Sequence, residues 1–85
     1  MKNRSKIEII ADILENIMND SNISSSKIMY KSFLSYYQLK EYIPLLLQNG
    51  LIKHGNKERT FIITNKGTHF LEMYNRLPEF LNVNL

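Results

Sequence analysis

The chain has 85 residues, a mass of 10.1 kDa and a formal charge of +3, which limits it to one domain built on one core. Hydrophobic residues make up 44% of it, 22 of them Ile or Leu, and that supply of apolar surface excludes intrinsic disorder. The absence of cysteine excludes disulfides, thiolate metal sites and a cysteine nucleophile, and two distant histidines, His54 and His69, offer no metal-ligand spacing.

Ile7, Ile10, Ala11, Leu14, Ile17 and Met18 recur at three- and four-residue steps and predict an amphipathic helix over residues 4–19, with Glu8, Asp12 and Glu15 off the stripe. Ile9, Ile13 and Ile17 form a second apolar strip on the same helix, expected to be covered by a partner. Lys2, Arg4 and Lys6 resemble the start of a signal peptide, but Glu8, Asp12 and Glu15 interrupt the apolar stretch that would have to follow. Apolar runs reach only about five residues, against the ~20 of a membrane span. The expectation is an intracellular domain without membrane association, in which these bases form a basic N-terminal arm.

Asp20-Ser21-Asn22 ends the first helix, and Ser24-Ser25-Ser26 supplies caps for a short second one over residues 27–32, with Ile28 and Met29 apolar. Ser35 followed three residues later by Gln38 has the form of a capping box. Behind it Leu39, Tyr42, Ile43, Leu46 and Leu47 line one helical face, and Asn49-Gly50 stops the helix with a left-handed cap. Two helices joined by so short a turn predict a helix-turn-helix. Pro44 lies inside the second of them. Continuity with a local bend is expected through it, because Ile43, Leu46 and Leu47 hold both sides to the core.

Residues 51–54 and 59–63 are β-prone, and Gly55-Asn56-Lys57-Glu58 between them is turn chemistry, so the pair predicts a hairpin. Thr64 can cap a last helix carrying Phe70, Leu71, Tyr74 and Leu77, which Pro78 should kink or end. The expected fold is mainly α with a small β-hairpin wing (α+β): a winged helix-turn-helix core over residues 4–63 and a C-terminal helix within 64–85, in a single domain, 1–85.

Charge is unevenly spread. Residues 27–66 hold seven bases against two acids, an excess of five, whereas the segments on either side are each slightly acidic. A localised basic stretch predicts an acidic polymer as partner.

The strings RSKIEIIADIL (4–14), KIMYKSFLSYYQLKEYI (27–43), LLLQNGLI (45–52) and FIITNKG (61–67) resemble the small archaeal winged-helix DNA-binding proteins. The resemblance implies a protein associated with chromatin or regulating transcription, with its recognition helix over 35–49, its wing over 53–59 and pairing through the C-terminal helix. The chain departs from that pattern at Pro44, at Tyr37 and in a short C-terminal helix that meets Pro78.

On the recognition helix, 100° per residue turns Tyr37, Glu41, Pro44 and Gln48 outward, with Gln38 and Lys40 on the flanks. Such a helix meets the major groove with its N-terminal end, which makes Tyr36, Tyr37, Gln38, Lys40 and Glu41 the candidate contacts. Gln38 matches adenine and Glu41 can accept from cytosine, while Lys40 and the hydroxyls of Ser35 or Tyr36 suit phosphates. Lys53, Lys57 and Arg59 would set the wing on the backbone or in the minor groove, and Lys27 and Lys31 add phosphate contacts. Phe70, Leu71, Tyr74, Leu77, Phe80 and Leu81 carry more apolar surface than so small a core needs, and predict a homodimer.

No catalytic set, phosphate loop or metal spacing occurs, so the expectation is a non-enzymatic protein with no cofactor, no metal and no small-molecule ligand. Its expected partners are double-stranded DNA and a second copy of itself, in the cytoplasm and on the nucleoid. The competing expectation is a winged helix used for protein contacts without DNA.

Overall fold

The computed structural model describes residues 3–81, with the side chain of Leu81 outside the described set. The elements in chain order are α1 (Lys6–Asn19), β1 (Ile23–Ser24), α2 (Ser25–Lys31), α3 (Tyr36–Gln48), β2 (Ile52–His54), β3 (Thr60–Ile63), α4 (Asn65–Asn75) and α5 (Leu77–Leu81). Three helices, a hairpin and terminal helices are the winged helix-turn-helix arrangement that the sequence predicts.

Local signals set the boundaries. Ser5 starts α1 with a capping box: its hydroxyl accepts from the Glu8 amide, and the Glu8 carboxylate accepts from the Ser5 amide. Ser24 caps α2 and Thr64 caps α4 in the same way, each hydroxyl accepting from the amide three residues on. α3 closes on Gly50, where the Gly50 amide reaches the Leu47 carbonyl and the Leu51 amide reaches that of Leu46. Pro44 leaves α3 unbroken. Pro44 and Lys40 both face solvent, so the Lys40 carbonyl that loses its amide partner does not fall in the core.

α1 is the central element, packed against α2, β3 and α4. Its buried face comprises Ile9, Ala11, Ile13, Leu14 and Ile17, an arc of about 200° at 100° per residue. This corrects the sequence expectation. Ile9, Ile13 and Ile17 are fully committed to the chain's own core and leave no strip for a partner, whereas Ile7 and Met18, at the ends of the helix, are exposed. A helix covered on one side shows a narrow stripe; one covered on three sides needs the wide arc.

The sheet adds a strand that periodicity could not reveal. β1 pairs antiparallel with β3 (Ile23 opposite Phe61), and β2 pairs on the other edge (Ile52 opposite Ile63, His54 opposite Phe61), so β3 is central. Gly67, in the first turn of α4, permits a close approach to the chain before β2: a Cβ there would meet the Leu51 carbonyl oxygen and would lie 2.7 Å from Ile63 Cγ1. Ile28, Leu34, Tyr42, Ile43, Leu46 and Leu71 complete the core, at roughly 1.5–3 kcal/mol per fully buried large apolar side chain.

The last helix is interrupted just before Pro78, as expected: α4 ends at Asn75 with Arg76 as its cap, and Pro78 is the second residue of α5, a first-turn position that needs no amide hydrogen.

Candidate nucleic-acid interface

The helix-turn-helix is held by its caps. At the start of α3 the Ser35 hydroxyl accepts from the Gln38 amide at 3.1 Å, and Gln38 Oε1 accepts from the Ser35 amide at 2.9 Å. The Oε1 atom that a bidentate adenine contact would use is therefore engaged in the cap, and Gln38 offers its Nε2 hydrogens. Beyond the cap, Tyr36, Tyr37, Lys40 and Glu41 are exposed, while Tyr42, Ile43 and Leu46 point inward. The Tyr36 and Tyr37 rings meet edge to face at 5.9 Å, and Lys40 Nζ stands 5.3 Å from the centre of the Tyr36 ring. Tyr36 is thus part of the outer surface and does not pack beneath α1.

The remaining cations around this end are partly matched by acids. Glu41 pairs with Lys6 at 3.4 Å, and Asp20 stands 3.5 Å from Lys27 and 3.8 Å from Lys31. These are surface pairs of small energetic weight, able to exchange for phosphates. Arg4 is not in a loose arm: it binds Asp12 at 2.9 Å and donates to the Phe33 carbonyl at 3.1 Å. Lys2 lies outside the described residues.

The wing presents Lys53, Lys57 and Arg59, all exposed, with no ion pair to any of them among the described residues. Its shape is fixed from below. The buried Thr60 hydroxyl donates to the Lys57 carbonyl at 2.6 Å, the Gly55 amide donates to the Thr60 carbonyl at 2.8 Å, and Asn22 Oδ1 accepts from the Asn56 amide at 2.8 Å. Arg59 takes a left-handed φ of 59°. Lys66, counted by sequence with the basic segment, instead donates to the Asn49 carbonyl at 2.7 Å and caps the negative end of α3.

The sequence predicts the turn between α2 and α3 but does not single out its aromatic residues. Phe33 sits between α2 and α3 at φ 55°, with its ring largely exposed, and Tyr30 beside it on α2 is exposed as well. A usable signal was present: Tyr30 and Phe33 fall outside the apolar spacing of both helices, in a stretch without acids.

The C-terminal residues divide. Leu71 belongs to the core of its own chain, and Phe70 and Tyr74 pack against that core, stacked with ring centres 6.3 Å apart. Burial, together with the carboxylates of Glu8 and Asp12, raises the Tyr74 phenol above its ordinary pKa. Leu77 is half-buried and Phe80 exposed beneath the Arg76 guanidinium, whereas the side chain of Leu81 lies outside the described residues. The apolar surface left for pairing is therefore narrower than the sequence suggests.

Among the described residues no three potential metal ligands cluster, and no helix is long and apolar enough to cross a membrane.

Residues 3–82 match the family model described as winged helix-turn-helix. The uncharacterized protein MJ0287 of Methanocaldococcus jannaschii is 35% identical over 79 residues, which cover 93% of this chain and 78% of that protein. The fold is also similar to the crystal structure of Sso10a-2, a DNA-binding protein from Sulfolobus solfataricus, with a TM-score of 0.70 at 22% identity over 93% of this chain and 86% of that one.

Proposed function

The chain belongs to the winged helix-turn-helix family, among the small archaeal winged-helix proteins, and from that premise we propose that it binds duplex DNA as a non-enzymatic regulator or architectural protein on the nucleoid. The observation that carries this reading is the division of labour along α3. Its rear face is consumed by the core, while its N-terminal end, with Tyr36, Tyr37 and Lys40, projects from a cap that engages the Ser35 and Gln38 amides. That end lies in the major groove in this reading, where Tyr37, Glu41 and the Gln38 amide face base edges and Lys40 meets a phosphate. Lys53, Lys57 and Arg59 place the wing on the backbone or in the minor groove, and Lys27 and Lys31 leave Asp20 for phosphates. The description of Sso10a-2 as DNA-binding agrees with it.

One observation favours the alternative, a protein-contact module: the outward residues Tyr37, Pro44 and Gln48 include no base. Titration of binding to a random duplex against salt separates the two. Phosphate contacts release counterions and give a steep negative slope of log affinity on log salt. Absence of duplex binding, or an affinity indifferent to salt, overturns the proposal.

We further propose that two copies pair through the outer surface of α4 and α5. A single module buries only roughly 600–1,000 Å² on DNA, and pairing doubles the contact.

A further inference from the structure

The end of α2 carries a residue that the fold does not favour. Phe33 occupies the left-handed position after the helix cap, a place that glycine usually fills and that is rare for a bulky side chain. Two backbone hydrogen bonds hold it there, from the Phe33 amide to the Tyr30 carbonyl at 3.3 Å and from the Leu34 amide to the Met29 carbonyl at 2.9 Å, and the Arg4 guanidinium donates to the Phe33 carbonyl. The ring gains no packing in return, being 79% exposed. Tyr30 is 83% exposed, and together they line an open cleft of about 480 Å³ with Met29, Lys31 and Leu34. A strained backbone that displays an aromatic ring to solvent points to something bound.

We propose that Tyr30 and Phe33 form a stacking platform for unpaired bases, so that the protein binds single-stranded or locally melted DNA at the α2–α3 corner, beside the duplex-binding end of α3. Charge selects nucleic acid over protein as the occupant. Residues 27–40 contain Lys27, Lys31 and Lys40 and no acid, and these lysines alternate with the exposed rings of Tyr30, Phe33, Tyr36 and Tyr37. Aromatic faces interleaved with cations are what a single strand requires: every base has a π-face to stack, and the phosphates between bases need neutralising. The platform is sequence-tolerant, because neither ring reads a base edge.

The test uses the full chain with an oligothymidine and a random duplex, both followed by fluorescence anisotropy. Phe33→Gly suits the left-handed backbone and preserves the fold, and Tyr30→Ala removes the second ring. Each is expected to weaken oligothymidine binding about five- to a hundredfold, the range for one base–aromatic stack, and to change duplex affinity less than twofold. Wild-type protein that binds duplex but not oligothymidine overturns this proposal alone. Failure to bind either ligand overturns the duplex reading with it. Equal losses on both ligands would return the rings to the duplex interface and refute a separate platform. So would a self-associated species dissociated by Phe33→Gly with oligothymidine binding unchanged, because the cleft would then belong to a second copy.

Discussion

Phe33 and Gly50 hold equivalent places at the ends of α2 and α3. Each follows the helix cap in the left-handed region, at φ 55° and 70°, and at each the following amide turns back to the carbonyl five residues earlier. One chain thus solves the same stop twice, once with the residue that suits it and once with a residue that costs about 1–2 kcal/mol there. Phe33→Gly should therefore stabilise the fold, offset in part by the greater freedom of glycine in the unfolded chain, for a net gain of about 1 kcal/mol. Thermal melts should rise by roughly 4–8 °C for a domain of this size. A lower melting temperature would show that the Phe33 ring is doing packing work.

Gly67→Ala should have the opposite sign to that of an ordinary helical glycine. Elsewhere in a helix the change gains stability; here the added methyl is driven into the Leu51 carbonyl and Ile63. The expected loss is about 1–3 kcal/mol, read as a lower urea midpoint with an unchanged slope.

These two sites show what a sequence discloses and what it withholds. Caps and stops are local: Ser35 with Gln38, Thr64 before its helix and Asn49-Gly50 are legible because the interacting atoms lie within a few residues of one another. β1 is two residues long and leaves no periodicity to read, and its pairing joins Ile23 to Phe61, far apart in the sequence. Ile9, Ile13 and Ile17 are legible as an apolar strip, but that the chain's own core and not a partner covers it is a tertiary fact. At the interface, the lysines are legible as charge and the Ser35–Gln38 cap as a local motif, but the left-handed backbones of Phe33 and Arg59 follow from geometry that residue type argues against.

Tyr74 should leave a signature in alkaline solution. Its phenol is raised by burial first and then by the Glu8 and Asp12 carboxylates, so the folded state holds the proton more tightly than the unfolded chain. Between the ordinary value of 10.0 and the folded-state value, unfolding releases a proton, and stability falls as pH rises. Below that window the contribution is fully present. Denaturant titrations at increasing pH should show the decline, and Tyr74→Phe should make it shallower; an unchanged decline in the variant would assign it to other groups.

Replacing Lys57 and Arg59 together by Ala should weaken binding to all duplexes alike and reduce the salt slope by up to about two units. Neither side chain supports the wing: its shape rests on Thr60, Gly55 and Asn22, so melting temperature should stay close to that of wild type. An unaltered salt slope would remove the wing from the interface.

Pairing through the terminal helices is tested by mass. With Leu71 in the core and Phe70 and Tyr74 packed on it, the apolar groups left to cover are Met73, Leu77 and Phe80. A two-fold contact there buries the same patch on both copies. Such a dimer is expected to set its two recognition helices one DNA turn apart, ~34 Å. Sedimentation equilibrium at micromolar concentration should report twice the 10.1 kDa chain mass. Leu77→Asp with Phe80→Asp should halve it without unfolding the domain, since neither residue is a core member. DNA affinity should fall with the loss of pairing, because each half-site contact then has to form independently. A species of one chain mass at every concentration would eliminate the dimer, as would a dimer that survives both aspartates.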